Sequence, residues 1–454
     1  MRRPPRRTRL TVTAAALALL CTAAGTACSG TAAGGAQRAT SREGPVHITF
    51  WSALRGSQEV VDAFNRTHDD IHVDFQQVPS GTQGGYAKLS NAARAGNAPD
   101  VATLEYPQVP GYAIDGVARD LTPLLKKDLR RKLQPAALAL TTFEGRTYSV
   151  PLDVEPMVYL YRKDVFARHG IETPRTWGEF TEAAREVKQK VPGSRIVNLP
   201  TDGAPLFAGF VWQAGGRWFD TRDGSWQVSM DDAPTRKVTG YWQRLLDEDL
   251  ITANSGDTQL GTAQLGSGKV LSKLTGAWDA GAQMSAHPDQ KGKWAVAPLP
   301  QWEADKDRPR IGTQGGSTFA ITKDSEHPRE AMEFIEWQVS SPEALKARLS
   351  SGISSQYPAV PSLVPVARKA FDESYYDGQD VYSLFRRETR HITGQWRWGP
   401  RMTATHKSLQ DGMARASGGE GTLLGAVRES QRSTLPDLES LGLDVTVRKG
   451  GQGR

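Results

Sequence analysis

The sequence predicts an α/β fold of more than one lobe, and three observations support that prediction. From Val46 onward, short β-rich segments alternate with amphipathic helical segments, a pattern typical of helices packed on a sheet. At 454 residues, the chain exceeds the usual size of a single domain. No low-complexity linker divides the chain after Val46, so we expect the lobes to be joined by several crossing strands.

Residues 46–104 predict three strands separated by two helices. In order, these are a strand at 46–51, a helix beginning at Ser57, a strand around Val73, a helix at 86–96 and a strand at 100–104. Ser57 is the expected N-cap of the first helix, and Val60, Val61 and Phe64 form its apolar face. The strand and helix order favours helices over a mostly parallel sheet.

Two later segments also carry helix signals. Thr176 and Glu179 have the spacing of a capping box, which predicts a helix reaching about Lys190. Residues 328–339 have the apolar spacing of an amphipathic helix, with Pro328 at its start. No internal repeat is evident.

The basic charge of the chain comes from its first nine residues. The formal net charge is +6, and five arginines precede residue 10, with no acidic residue before Glu43. Without those five arginines the charge falls to +1, which leaves no electrostatic footprint for a phosphate backbone. The sequence therefore predicts no nucleic-acid partner.

Residues 1–27 are predicted to be a lipoprotein signal peptide. An arginine-rich start is followed by an apolar run at 10–24, shorter than the roughly 20 residues that a membrane-spanning helix needs. The next residues, Gly25-Thr26-Ala27-Cys28, resemble a bacterial lipobox with Cys28 as the site of lipid attachment. Gly25 stands where leucine is usual, so secretion without an anchor stays open at this point.

The segment after the signal peptide predicts a tethered, exported protein. Residues 28–45 are rich in Gly, Ala, Ser and Thr and are expected to form a flexible tether. We expect the protein to be anchored by lipid to the outer face of the cytoplasmic membrane. Arg6-Arg7 leaves both general secretion and twin-arginine export open. Because Cys21 and Cys28 are the only cysteines, the remaining chain has neither a disulfide nor a catalytic thiolate.

Motifs of known enzymes are missing from the sequence. It contains neither G-x-S-x-G nor H-E-x-x-H, and Gly268-Lys269 only imitates a phosphate-binding loop. His68 and His72 are four residues apart, but Asp69-Asp70 between them indicates a turn, so we expect solvated surface there. The sequence therefore predicts no catalytic residue, no cofactor and no bound metal.

Several short motifs, taken in order, resemble those of a known protein family. They are Phe64-Asn65, Gly96-Asn97-Ala98-Pro99-Asp100-Val101, Gly116-Val117-Ala118-Arg119-Asp120-Leu121, Pro151 with Tyr161-Arg162-Lys163-Asp164-Val165-Phe166, Thr176-Trp177, Gly215-Gly216, Gly276-Ala277-Trp278 and Gly315-Gly316. On these motifs, the chain from about Val46 to Leu438 resembles the extracellular solute-binding proteins, family 1, of ABC importers, which include maltose-binding protein. Arg162 departs from the family's usual asparagine, at what is expected to be a surface position.

The resemblance implies an α/β, two-lobe periplasmic-binding-protein-like (type II) fold with a ligand cleft between the lobes. It places residues 46–153 and 298–338 in lobe 1, and residues 154–297 and 339–447 in lobe 2. It also implies hinge closure on the ligand. We expect a monomer. Its implied partners are a carbohydrate ligand, the permease subunits of an ABC importer and, through its anchor, the membrane.

By position in the family pattern, the resemblance also implies a set of ligand-binding residues. They are Trp278 in the Gly276 turn, Asp153 and Glu155 at the first lobe crossing, Glu105 after a strand, and Gly316, with Trp51, Trp212 and Trp396 as further candidates. Each aromatic residue has an alternative role in the core, and each acid has one as a backbone-bonded or solvated group. If residues 395–398 are helical, only one of Trp396 and Trp398 can face the cleft.

These observations favour a non-enzymatic carbohydrate-binding lipoprotein that delivers its ligand to a membrane permease. The alternatives are a surface-anchored glycoside hydrolase and a binder of a non-sugar solute. A hydrolase needs two carboxyl groups on opposite sides of the bond that is cleaved. Asp153 and Glu155 are two residues apart in an extended segment and share a face, which argues against hydrolysis.

Overall fold

The computed structural model describes residues 44–222, 224–256, 258–350, 352 and 355–447. The predicted signal peptide, Cys28 and all but the end of the predicted tether lie outside these residues. The strands are Val46–Ser52 (β1), Ile71–Gln77 (β2), Val101–Glu105 (β3), Thr142–Phe143 (β4), Arg146–Thr147 (β5), Val150–Pro151 (β6), Met157–Arg162 (β7), Arg195–Val197 (β8), Phe219–Arg222 (β9), Ser225–Val228 (β10), Val270–Gly276 (β11), Trp294–Pro298 (β12), Ser317–Ile321 (β13) and Val445–Val447 (β14).

Helices occupy much of the remaining chain. The α-helices are Ser57–Asn65 (α1), Gly85–Arg94 (α2), Val109–Ile114 (α3), Lys127–Lys132 (α4), Pro135–Ala139 (α5), Lys163–His169 (α6), Trp177–Lys190 (α7), Ala204–Gln213 (α8), Ala233–Asp247 (α9), Gln259–Gly266 (α10), Asp279–Ala286 (α11), Pro328–Ser340 (α12), Pro342–Leu349 (α13), Val364–Ala370 (α14), Val381–Glu388 (α15), Met402–Ser417 (α16) and Leu423–Glu439 (α17). Short 3-10 helices lie at Gly81–Gln83, Tyr106–Gln108, Pro288–Gln290, Glu303–Asp305, Pro361–Leu363, Glu373–Tyr376 and Thr389–His391. Within the described ranges, no helix is both long and apolar enough to cross a bilayer.

The first large sheet has the strand order β2-β1-β3-β13-β6. β1 is parallel to both β2 and β3, because α1 and α2 provide the crossovers between them. β13 then pairs antiparallel with β3 and β6 and so brings a distant part of the chain into the sheet. The core beneath the sheet is aromatic, with the Phe50 ring 5.7 Å from Phe319 and 5.3 Å from Phe334, measured between centroids. The parallel arrangement predicted for residues 46–104 is confirmed.

The second large sheet has the order β12-β7-β11-β8. β7 is antiparallel to β11 and β12, and β11 is parallel to β8. Trp177, at the start of α7, packs beside this sheet with its ring centroid 5.5 Å from Phe180 and 5.6 Å from Trp242. A smaller sheet, β14-β10-β9, and a hairpin, β4-β5, complete the strand pairing of the described chain.

The helices after β13 pack on different sheets. α13 contacts α1, and α12 contacts β1 and β13, so both belong with the first sheet. α15 contacts β7 and β12, which places it with the second sheet. α16 contacts α8 and α17, and α8 and α17 both contact α9. The chain therefore returns to the second sheet between α13 and α15.

The local signals of the sequence place most of these elements correctly, with one error. The predicted strands and helices of residues 46–104 form, as do the helix after Thr176 and the helix beginning at Pro328. The prediction that Ser57 caps α1 is wrong, because the N-cap is Gly56, at a φ of 74°. Ser57 instead lies buried in the first turn and donates to Ser52 Oγ at 3.1 Å. A Cβ on Gly56 would lie 2.3 Å from the carbonyl oxygen of Arg348, which explains the glycine.

The predicted capping box forms at the N-terminus of α7. Thr176 Oγ1 accepts a hydrogen bond from Glu179 N at 3.1 Å, while Glu179 Oε2 accepts one from Arg175 N at 2.7 Å. We expect Thr176→Ala to lower the free energy of unfolding by about 1 kcal/mol, because one helix N–H loses its acceptor. Thr176→Asn should retain most of that stability. Denaturant unfolding measures the difference, and equal losses in the two variants would contradict the capping role.

Candidate functional site

Three segments of the chain run side by side between the two large sheets. We call them crossing segments 1, 2 and 3, at residues 152–156, 312–316 and 355–359. The first joins β6 to β7, and the second precedes β13. Main-chain N–H groups of Leu152 and Met157 donate to Ser317 O at 2.9 Å and Gly312 O at 3.2 Å, and Val154 N donates to Tyr357 O at 2.9 Å. Segment 1 therefore lies between the other two.

Asp153 and Glu155, two of the predicted site residues, are held in segment 1 by main-chain donors of its neighbours. Asp153 Oδ1 accepts from Ser317 N at 2.7 Å, and Glu155 Oε1 accepts from Tyr357 N at 3.2 Å. Both side chains are buried. Glu155 Oε2 is also buried and makes no hydrogen bond of standard geometry with the described residues, although the main chain of Trp278 lies close enough to the carboxylate to oppose the rise in its pKa. A buried carboxyl oxygen that lacks a full hydrogen bond is costly to the folded state.

The environment of this acid pair favours its protonated forms. Burial raises the pKa of Asp153 to about 7, and Glu105 adds to that rise while the charge of Arg348 opposes it. Burial, and then the charge of Asp153, raise the pKa of Glu155 well above its usual value. Arg348 is itself buried, and burial lowers its pKa to about 10. The pair can therefore carry protons near neutral pH, and a protonated carboxyl group both donates and accepts hydrogen bonds.

Trp278 contacts segment 2 beside the acid pair, and we call the region formed by these residues the junction. It follows β11 and is half-buried, and its indole Nε1 donates to the carbonyl oxygen of Gln314 at 3.1 Å and to Gln314 Oε1 at 2.8 Å. A Cβ on Gly315, which has a φ of 84°, would lie 2.9 Å from that nitrogen. Gln314 N in turn donates to Glu155 O at 3.1 Å. The structure thus brings Trp278 and Glu155 together through Gln314.

Gly316 lies at the same junction, against an aromatic ring. Its φ is 103°, and a Cβ would lie 2.5 Å from Cε2 of Tyr106 and 3.6 Å from Asp153 Oδ1. The Tyr106 hydroxyl donates to the carbonyl oxygen of Asp153 at 2.6 Å. In this structure, the absent side chain of Gly316 therefore makes room for Tyr106.

Trp51 and Glu105 lie at the carboxyl ends of neighbouring strands and line a cavity of about 150 Å³. The Trp51 ring is half-buried, with Lys88 Nζ 4.4 Å from its centroid. Glu105 is exposed and, after burial, contributes to raising the pKa of Tyr86, which also lines the cavity. Ser317, whose N–H binds Asp153, is part of the cavity wall, so the cavity adjoins the acid pair.

Trp212 and Trp396 form a separate aromatic cluster beside α8. Their rings stack with centroids 5.6 Å apart and planes 10° apart, and Trp212 Nε1 donates to Thr393 O and Oγ1, both at 2.9 Å. Residues 395–398 are not helical, so the expectation that only one of Trp396 and Trp398 faces the cleft, which assumed a helix, does not apply. Both side chains are buried. The indole N–H groups of Trp396 and Trp398 have no partner among the described residues. Each of these two buried donors therefore needs an acceptor, which a buried water or a bound molecule can provide.

Side-chain contacts also join the two halves of the molecule, one built on each large sheet, at a place away from the crossing segments. Thr403 Oγ1 donates to Gln108 Oε1 at 2.8 Å, and Arg401 Nη1 lies 2.8 Å from Asp115 Oδ2. A Cβ on Gly111 would lie 2.4 Å from Pro400 O. The segment from Tyr106 to Asp115 follows β3 of the first sheet, whereas α16 packs with the helices of the second. We call these contacts the cleft-edge contacts.

Sequence reasoning missed several residues of the junction. Gln314, Tyr106 and Arg348 contact or influence the predicted site residues, yet none carries a motif of its own. Gln314 directly precedes the Gly315-Gly316 pair, which was the one signal near it. The position of the other two depends on long-range packing.

Two α/β halves joined by three crossing segments, with acids and an indole at the junction, define a two-lobe binding protein. The family model described as bacterial extracellular solute-binding protein matches residues 52–344. The chain belongs to that family. The family is extracellular, so the protein is exported.

Individual relatives agree with that assignment. The arabinooligosaccharide-binding protein of Bacillus subtilis (strain 168) is 27% identical over 324 residues, or 68% of this chain and 73% of that protein. The lactose-binding protein of Rhizobium radiobacter is 30% identical over 200 residues, or 43% of this chain and 46% of that protein. The galacto-N-biose-/lacto-N-biose I-binding protein of the ABC transporter from Bifidobacterium longum, solved with lacto-N-biose, superimposes with a TM-score of 0.79 at 26% identity, over 89% of this chain and 100% of that one.

These comparisons confirm three predictions made from the sequence. The family resemblance and the two-lobe α/β fold are both confirmed. The relatives are binding proteins and not enzymes, which confirms the prediction of a non-enzymatic solute-binding protein.

The raised pKa of Asp153 predicts how stability changes with pH. Its folded-state pKa of about 7 exceeds the ordinary value of 3.8, so the folded protein holds this proton more tightly than the unfolded chain does. The resulting stabilisation is complete below the unfolded pKa and is lost as the pH rises through 7. Asp153→Asn should therefore lose less stability than the natural protein between pH 5 and pH 8. The difference should exceed about 1 kcal/mol, because one pKa unit corresponds to about 1.4 kcal/mol.

The free energy of unfolding of each variant is measured by denaturant unfolding between pH 5 and pH 8. Asp69→Asn is the matched control, because Asp69 is exposed. If Asp153→Asn shows the same pH dependence as Asp69→Asn, Asp153 does not bind a proton in this range.

Proposed function

We propose that the protein is the substrate-binding component of an ABC importer, which captures a carbohydrate in the cleft between its lobes and delivers it to membrane permease subunits. The observation that carries this proposal is the junction where Trp278 meets the crossing segment that bears Asp153 and Glu155. The sugar-binding names of the relatives support the ligand class. All three names specify ligands of two or more sugar units, so we propose a disaccharide or larger oligosaccharide.

The chemistry of the junction suits such a ligand. A sugar presents apolar C–H faces and a rim of hydroxyl groups, so its site needs flat aromatic rings beside carboxyl or amide oxygens. Trp278 supplies the ring, and Glu155 Oε2, which makes no hydrogen bond of standard geometry with the described residues, supplies a hydrogen-bonding atom. We assign Trp51, Glu105 and Gly316 to the lobe 1 side of the site, and Trp212 and Trp396 to the lobe 2 side. The buried, unpartnered Trp396 N–H supports that last assignment.

The packing of the chain supports lobe boundaries that differ in part from those implied by the resemblance. The first crossing, near residues 153–154, agrees with segment 1. Thr176 forms a bridge with Gln301, and Trp302 packs on Trp177, so we assign residues 298–311 to lobe 2. α13 packs on α1, so we assign residues up to 349 to lobe 1. The lobe 1 segments proposed are then 46–153 and 317–349.

We also propose that the lobes close over the ligand. The cleft-edge contacts, Arg401 with Asp115 and Thr403 with Gln108, span the two lobes outside the crossing segments. Their partners would separate if the lobes opened, whereas the main-chain bonds of the crossing segments need not break. A ligand that contacts both lobes binds the closed state more tightly and shifts the population toward it.

A mutational series tests the ligand and the site together. A thermal-shift screen of mono- and oligosaccharides identifies the ligand, since a ligand at 100 times its Kd stabilises by about 2.7 kcal/mol. Trp278→Ala should then cost about 2–4 kcal/mol of binding, or roughly 30- to 1000-fold in affinity, and Trp278→Phe should cost less. Isothermal titration calorimetry and denaturant unfolding are measured on each variant.

The matched control is Trp337→Ala. Trp337 is half-buried like Trp278 but packs in lobe 1 against Phe64, with ring centroids 5.3 Å apart. It should lose stability while keeping its affinity for the sugar. If Trp278→Ala behaves in the same way, Trp278 is a core residue and lies outside the site. Stabilisation only by non-sugar solutes would reject the carbohydrate ligand.

We propose further that lipid attached to Cys28 anchors the protein to the outer face of the cytoplasmic membrane. The lipobox-like sequence supports this. Cys28→Ala should leave the lobes folded, because Cys28 precedes them, and should move the protein from the membrane fraction to the soluble one. Fractionation followed by immunoblotting measures the distribution, with Cys21→Ala as the control that stays on the membrane. A Cys28→Ala protein retained on membranes would reject the anchor.

A further inference from the structure

Two histidines and an aspartate meet on the outer edge of the first sheet. His47 is the register partner of His72 on the neighbouring strand, and Asp74 lies two residues after His72. Because side chains alternate along a strand, His72 and Asp74 point to one face, and His47 faces His72 across the pair. β2 is the terminal strand of its sheet, so the group lies at a free edge.

The distances within the group match those between the ligands of one metal ion. His47 Nδ1 lies 2.9 Å from Asp74 Oδ2, and His72 Nε2 lies 3.7 Å from Asp74 Oδ1. One ligand atom from each residue lies within 4.8 Å of the others. Two ligands about 2.0–2.1 Å from a tetrahedral zinc ion are about 3.3 Å apart, so small side-chain rotations would complete the set.

We propose that His47, His72 and Asp74 bind one divalent transition-metal ion. Two imidazole nitrogens and one carboxylate oxygen suit Zn²⁺, Cu²⁺ or Ni²⁺ and disfavour Mg²⁺ and Ca²⁺, which prefer oxygen ligands. The side chains are 61%, 43% and 52% exposed, so the ion can enter from solvent and keep a water ligand. The sequence-based prediction of no metal considered His68 with His72 and overlooked His47, which is distant in sequence.

The neighbouring histidine does not join this group. The His68 ring stacks on Phe64, with centroids 3.8 Å apart and planes 11° apart, and its Nδ1 is 3.0 Å from Phe64 O. His47 and His72 instead face each other with ring centroids 4.9 Å apart. The strand register, and not the four-residue spacing, therefore creates the group.

The proposed metal site is separate from the ligand-binding junction. His47 lies near the start of β1, while Trp51, beside the cavity, lies four residues further along the strand. At about 3.3 Å per residue, these positions are about 13 Å apart. Metal bound to the edge would clamp β1 to β2 and stabilise the folded state by mass action, without a contact to the sugar.

Zinc titration of the full chain tests the proposal. All variants carry Cys21→Ser and Cys28→Ser, because these cysteines are the only thiols in the sequence and would bind zinc themselves. After treatment with a chelator, isothermal titration calorimetry with ZnCl₂ should show one ion per chain. His47→Ala, His72→Ala and Asp74→Asn should each weaken binding about tenfold or more. His169→Ala, on α6, should leave it unchanged.

The outcomes are distinct from those of the carbohydrate experiments. Zinc should raise the unfolding midpoint of the protein but not that of the His47→Ala/His72→Ala double variant, and it should leave sugar affinity unaltered. Absence of saturable zinc binding at micromolar concentrations, or equal binding by the double variant, would overturn the proposal. Denaturant unfolding without metal verifies that each variant remains folded.

Discussion

The hydrogen bonding of segment 1 between segments 2 and 3 is the constraint on which the rest of the structure depends. Leu152 N bonds to Ser317 O and Val154 N to Tyr357 O, and Met157 N, directly after segment 1, bonds to Gly312 O. These main-chain bonds join the two sheets, so the halves are connected only by narrow segments in this region. The same bonds fix where Asp153 and Glu155 point. One feature of the backbone thus joins the lobes and places the acids at their junction.

Burying two carboxyl groups in one crossing segment is costly unless they are protonated or paired. Main-chain donors reach one oxygen of each acid, and Arg348 favours the charged form of Asp153. One oxygen of Glu155 makes no hydrogen bond of standard geometry with the described residues. Trp278 is held beside it by two hydrogen bonds to Gln314, so contacts within the protein fix the orientation of the ring. In the site that we propose, such preorganisation would lower the entropic cost of binding.

Local sequence signals predicted the elements, and long-range pairing determined the rest. Apolar periodicity and the Thr176 cap depend only on near neighbours, so β1, α1 and α7 could be predicted from the sequence. The antiparallel insertion of β13 depends on pairing with residues more than 200 positions away. The cap of α1 was mistaken because Gly56 is selected by contact with Arg348, which the sequence does not reveal. Of the proposed site, the family pattern supplied Trp278, Asp153 and Glu155, but not Gln314 or Tyr106.

The central claim is that a carbohydrate binds at the junction and draws both lobes together. Small-angle X-ray scattering with and without the oligosaccharide found by screening tests it most directly. If the ligand contacts both lobes as proposed, the radius of gyration should fall at saturating sugar and should fall less in Trp278→Ala at the same concentration. An unchanged radius in the natural protein, with saturation verified by calorimetry, would contradict the claim and would place the ligand within a single lobe.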